Sequence, residues 1–105
     1  MLRTIFAGLK GSFNFDKSLI HRIVCVDEVD VEILQLLLEA GNLGLLPKDL
    51  QTKLERFKVT RHQISRRIIR MNKRLEKELG ESIAEKRGWH WALTSFGIEA
   101  INETE

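Results

Sequence analysis

The sequence holds one cysteine, one proline and no tyrosine in 105 residues, and no apolar run long enough to cross a bilayer. A single thiol, Cys25, excludes an intramolecular disulfide and with it a disulfide-stapled secreted scaffold. Cys25 is expected to be a small buried hydrophobe, with pairing to a second copy as the alternative. No glycine-rich phosphate loop, no Ser, His and Asp in a nucleophilic order, and no paired carboxylates in an apolar setting occur, so no enzyme activity is indicated. His21 and Cys25 stand four apart, but a zinc site needs a second pair at ligand spacing and none follows. Neither metal nor cofactor is expected. Gly8, Lys10, Gly11 and Asn14 interrupt anything like a signal-peptide core, which points to a soluble cytoplasmic protein.

Hydrophobic residues make up 43% and charged residues 30%, the composition of a single globular domain. Few glutamines and a high share of opposite charges point to a thermophile. The net charge of +2 says little about partners, but its distribution says more. Residues 1–26 set Arg3, Lys10, Lys17 and Arg22 against Asp16, for +3. Residues 27–46 hold Asp27, Glu28, Asp30, Glu32 and Glu39 with no base, for −5. Residues 47–87 hold thirteen Lys or Arg against six acids, for +7, and Glu99, Glu103 and Glu105 close the chain at −3. An acidic segment followed by a basic block implies one negative and one positive surface.

Within the basic block, residues 59–80 read as one helix. At about 100° per residue, Ile64, Ile68, Met71, Leu75 and Leu79 fall within roughly 80° of one another, a core-facing stripe. Gln63, Arg66, Arg70, Lys73, Arg74 and Lys77 fall opposite. Only Glu76 and Glu78, at the far end, supply acid, so Arg66, Arg70, Lys73 and Arg74 are expected to keep their charge uncompensated. Thr60 with Gln63 three residues on has the capping-box pattern, which sets the start of the helix.

Around that helix the rest falls into order. Residues 1–26 contain Phe6, Phe13 and Phe15 among glycines, then SLIHRIVCV, which reads as a strand or a helix turn. They are expected to be an arm that packs on the body or dimerises. Asp27, Glu28 and Asp30 open a helix where the macrodipole favours acid, and Gly41 closes it. Its leucines, Leu36, Leu37 and Leu38, cannot all face one core, so the arm or a second copy should cover the far side. Pro47 starts a further helix with Leu50, Leu54 and Phe57 inward. After Gly80 the period becomes alternating: a β-hairpin with a turn at Arg87-Gly88, with Trp89, Trp91 and Leu93 sharing a face and expected in the core rather than as stacking platforms. Thr94 or Ser95 then caps a last helix reaching Ile101. Helix, helix, turn, helix, hairpin, helix is the winged helix-turn-helix arrangement, an α+β fold that is mainly α, assigned here to residues 27–105.

VTRHQISRRI resembles the start of the recognition helix in LysR-type transcriptional regulators, with Thr60 as the capping hydroxyl and Ser65 five residues later. Glu78-Leu79-Gly80, Ile83, Glu85-Lys86, Gly88, Leu93-Thr94 and Gly97 resemble that family's helix end, wing and linker-helix opening, patterns also found in MarR-like proteins. The resemblance implies DNA binding and transcription regulation. Four extra residues between Ile68 and Leu75 depart from it, as does the longer LERFKVT turn. With the chain ending at Glu105, no effector-binding domain and no small-molecule control are expected. A stand-alone winged-helix regulator, of the kind found in archaea and their viruses, is the nearer analogue.

The expected function is therefore that of a sequence-specific, nucleoid-associated regulator that binds double-stranded DNA as a homodimer. Arg61, His62, Gln63 and Arg66 would reach base edges in the major groove, where Gln suits adenine and Arg suits guanine. Arg70, Lys73 and Lys77 would hold phosphates, Arg67 lies on the same helix, and Thr60 with the helix N-terminus can donate to a phosphate. Lys86 and Arg87 at the wing tip, residues 86–88, would touch backbone or minor groove. Sequence-independent DNA organisation, a protein–protein adaptor and RNA binding are the alternatives.

Overall fold

The structure, a computed structural model, describes residues 17–102. In order these form α1 (Lys17–Val24), α2 (Glu28–Ala40), α3 (Pro47–Lys53), α4 (Arg61–Leu79), a hairpin of β1 (Ala84–Arg87) and β2 (His90–Leu93), and α5 (Ser95–Asn102). Short 3-10 turns, Gly41–Leu43 and Glu55–Phe57, follow α2 and α3. The described part is thus mainly helical with one two-stranded antiparallel sheet, as the sequence pattern predicts. Among the described residues no helix is long and apolar enough to cross a membrane.

α4 begins where its capping box sets it. Gln63 N–H donates to Thr60 Oγ1 at 3.1 Å, and Thr60 N–H donates to Gln63 Oε1 at 2.9 Å. It ends at Gly80, left-handed at φ 72°, whose N–H closes the last turn on Glu76 O. Its stripe is the centre of the core: Ile64, Ile68, Met71 and Leu75 are fully buried and Leu79 nearly so. Each such burial contributes about 1.5–3 kcal/mol, whereas a cap contributes about 1 kcal/mol. Burial therefore decides which way α4 faces, and the cap only where it starts.

The remaining helices close around that stripe. Asp27 caps α2, accepting from Val29 N–H at 3.1 Å and Asp30 N–H at 3.2 Å. Pro47 opens α3 at a position whose N–H has no helical partner. Thr94 Oγ1 caps α5 by accepting from Gly97 N–H at 2.9 Å. The stretch read as a strand or a helix turn is a helix, α1, which packs against α4 and α5 with Ile20 and Val24 fully buried. Leu19, Ile20, Ile23 and Val24 repeat at helical spacing, and that repeat outweighs the β-leaning composition of the run. The rest of the N-terminal arm, residues 1–16 with its three phenylalanines, lies outside the described residues.

The apolar excess of α2 is largely covered within the chain. β2, α4 and α5 pack against it; Ile33, Leu34 and Leu37 are fully buried, Leu36 and Leu38 half-buried, and only Val31 is exposed on its apolar side.

The hairpin pairs Ala84 with Leu93, Glu85 with Ala92, Lys86 with Trp91 and Arg87 with His90. Its turn is Gly88-Trp89, one residue later than expected, because Arg87 is held in the ladder and Gly88 takes the positive φ, 66°, at the first turn position. Trp89 thereby leaves the inner face and is 79% exposed, while Trp91 is buried as expected. The alternation expected at the start of β1 also shifts: Ile83 and Ala84 are both buried, since α4 and α5 enclose the hairpin base.

Two chain crossings are tight enough to require glycine. Leu45 forms a lone antiparallel bridge with Trp91, two N–H···O bonds of 2.8 Å, and so adds a third short row to the sheet. A Cβ on the preceding Gly44, at φ 71°, would lie 2.1 Å from Trp91 O. A Cβ on Gly97 would lie 2.3 Å from Ile83 O. Gly44→Ala is expected to break the Leu45–Trp91 bridge and destabilise the fold by about 2 kcal/mol or more in urea unfolding; an unchanged midpoint would show that the bridge contributes nothing.

Candidate nucleic-acid interface

Counted at about 100° per residue from Ile64, the part of α4 outside its buried stripe divides into three arcs. On one side, Ser65 and Asn72 hold the hairpin. Asn72 Oδ1 accepts from Ile83 N–H at 2.9 Å and Ala84 N–H at 3.0 Å, its Nδ2 donates to Ala84 O at 2.9 Å, and Trp91 Nε1 donates to Ser65 Oγ at 3.4 Å. On the other side, Arg67 and Arg74 turn toward the start of α2. Between them lies an exposed arc with His62, Arg66, Arg70, Lys73 and Lys77.

The arc beside α2 is closed by ion pairs. Arg67 Nη1 donates to Asp27 Oδ1 at 2.9 Å and to Asp30 Oδ1 at 3.0 Å. Arg74 Nη1 lies 3.7 Å from Asp30 Oδ2 and donates to Val24 O. Asp30 is 1% exposed and also accepts from Val26 N–H at 3.0 Å. Desolvation acts to raise the Asp27 pKa, but the Asp30 N–H, the bonded Arg67 guanidinium and the Val29 N–H together bring it below its ordinary value. Burial, then the nearby Asp30 charge, pushes the Cys25 thiol up to about 12, with Arg74 opposing in part. Cys25 is therefore a neutral thiol at ordinary pH. Among the described residues no three His, Cys, Asp or Glu are grouped to hold a metal ion.

Of the residues singled out in the sequence, several are gathered on the open arc and others are engaged elsewhere. Arg66, Arg70, Lys73 and Lys77 form no ion pair among the described residues. Arg74, expected to be uncompensated, is paired with Asp30 from a different helix, and Arg67 is paired likewise. Thr60 and Gln63 bond each other in the cap, so the Gln63 carboxamide oxygen already accepts and only its NH2 is free to donate outward. Arg61 sits at the helix start and its Nε donates to Gln51 Oε1 at 3.1 Å, tying α4 to α3. Arg87 is turned inward, bonded to Glu85, Asn42 O and Leu93 O. Lys86 remains exposed, its Nζ 5.2 Å from the Trp91 ring centroid.

A groove of about 650 Å³ lies between α4 and the entry to α2, lined by Arg66, Arg67, Arg70 and Arg74 of α4 and by Val26, Asp30, Phe57 and Lys58, so it borders the open arc without running along it. Lys58 was not singled out in the sequence; its left-handed φ of 56° ends the 3-10 turn and turns the chain into α4. The positive end of the α4 dipole adds to the field at the same end of the groove.

A comparison with protein-family models, with curated proteins and with solved structures finds no match to this chain.

Asp30→Ala would leave Arg67 and Arg74 facing a buried site without their shared carboxylate, and is expected to cost about 2–4 kcal/mol in urea unfolding. The Asp27 shift adds a pH dependence. A carboxyl with a lowered folded pKa stabilises fully above its unfolded pKa, and that contribution is lost as pH falls through the folded value. Stability should therefore decline below about pH 4, and the decline should be shallower in Asp27→Asn, which keeps the cap but not the charge; equal slopes would remove Asp27 from the account.

Proposed function

We propose that this protein is a winged helix-turn-helix regulator that binds double-stranded DNA, with α3 and α4 as the helix-turn-helix pair and the hairpin as the wing. The observation that carries the reading is the sorting of charge on α4. Arg67 and Arg74 are neutralised against α2, while Arg66, Arg70, Lys73 and Lys77 stay exposed on one arc with no ion pair among the described residues. A solvated helix face ordinarily mixes both signs, whereas a polyanion site does not. The Leu45–Trp91 bridge supports the wing, since it ties the hairpin back to the link between α2 and α3.

In this reading α4 enters the major groove by its N-terminal half, where His62 and Arg66 reach base edges. Arg70, Lys73 and Lys77 hold phosphates, joined by Lys58 across the groove and by Lys86 from the hairpin. Gln63, with one lone pair of its oxygen engaged in the cap, is held in the cap geometry and is less free to read adenine in the two-bond manner. Because that leaves few base readers, sequence-independent binding is the second reading. A homodimer, with one α4 in each of two successive major grooves, belongs to the proposal.

Selection of bound duplexes from a random pool tests both parts. A palindromic consensus is expected; a single half-site would remove the dimer, and no consensus would favour sequence-independent binding. Binding should weaken steeply with salt, and Arg66→Ala should relax preference at one position at a cost of about 1–3 kcal/mol. Even weakening on every sequence would select the second reading, and salt-insensitive or absent duplex binding would end the proposal.

A further inference from the structure

Trp89 is the large apolar side chain that the hairpin leaves in solvent, 79% exposed at its turn. Trp91, two residues on, is 6% exposed and bonded to Ser65, so the fold uses one indole and presents the other. The direction of presentation follows from two anchors. The hairpin base is fixed at Asn72 and its middle at Ser65, seven residues nearer the start of α4. The hairpin therefore runs from Asn72 toward the N-terminal half of α4, with its turn beyond the Trp91 anchor. Beside the turn Lys86 stands exposed, while Arg87 is turned inward and pairs with the neighbouring acid, Glu85.

We propose that Trp89 is an aromatic wedge that enters the minor groove of duplex DNA, next to the major groove taken by α4, and stacks on a base step there. This rests on the DNA-binding reading above. Apolar side chains inserted from the minor groove partly unstack a base step and kink the duplex. An indole supplies the stacking face, and Lys86 the phosphate contact that seats it. Lys86 beside the turn and the exposed basic arc of α4 choose the partner. They match phosphates, whereas the same tip on a second copy would repel them.

The test uses the whole chain with an end-labelled duplex of defined sequence, following affinity against salt and end-to-end energy transfer. Trp89→Ala should weaken binding about tenfold at every salt concentration with an unchanged salt slope, because an indole releases no counterions. Lys86→Ala should instead lower the slope by about one. Trp89→Phe should restore most of the affinity, and wild-type protein should shorten the end-to-end distance where Trp89→Ala does not. Equal affinity and equal bending for wild type and Trp89→Ala would overturn the wedge while leaving duplex binding intact. A dimer that becomes a monomer on Trp89→Ala substitution would place the ring on a second copy and overturn it too. If wild type binds no duplex, the DNA-binding reading fails, and the wedge with it.

Discussion

Burying a carboxylate is costly unless every lone pair is answered, and Asp30 is buried in the contact between two helices. It is answered by Arg67, by Arg74 and by the N–H of Val26. Those three partners lie on α4 and on the link that enters α2, so one side chain holds three pieces of backbone in register. Asp27 completes the arrangement by capping α2 with one oxygen while receiving Arg67. Removing two arginines from the solvent side of α4 is what leaves the others sorted onto a single arc. The order of charge on the surface is thus a consequence of how the interior is satisfied.

The parts legible in the sequence are those that a local period or cap determines. Ile64, Ile68, Met71, Leu75 and Leu79 repeat every three or four residues, and Thr60 with Gln63 needs no distant partner to form its box. The Asp30 network depends on partners far apart in the chain, although the sequence carries a signal for it. Asp30, Ile33, Leu34 and Leu37 stand at i, i+3, i+4 and i+7, which puts the aspartate on the buried stripe of α2. Arg67 and Arg74, seven apart, share one side of α4. An acid at a helix start serves the dipole whether or not it is buried, so charge alone could not separate the two roles. Trp89 failed as a core residue for a different reason. Alternation places it beside Trp91 and Leu93 only if the strand extends that far, and a glycine-first turn ends it one residue sooner.

The helix and the hairpin behave as one unit because the contacts between them are specific at both ends. Asn72 engages the backbone of Ile83 and Ala84 where β1 begins, and Ser65 receives the Trp91 indole. Gly97 and Gly44 permit the backbone approaches that keep this layer thin, at Ile83 O and at Trp91 O. Any movement of α4 would have to carry the hairpin with it.

The Leu45–Trp91 bridge and the Asn72 contacts also bear on how the protein avoids its own copies. In an antiparallel ladder, successive residues turn their backbone groups alternately toward and away from the partner strand. Leu45 occupies the outward groups of Trp91, and the Asn72 carboxamide occupies those of Ala84. On the outer edge of β1 this leaves the backbone of Lys86 as the one free site, under a cationic side chain and between Glu85 and Arg87. A single open residue flanked by charge is too short to template another strand. Among the described residues, a sheet of only two strands, whose edges would ordinarily invite polymerisation, in this way offers little backbone for strand addition.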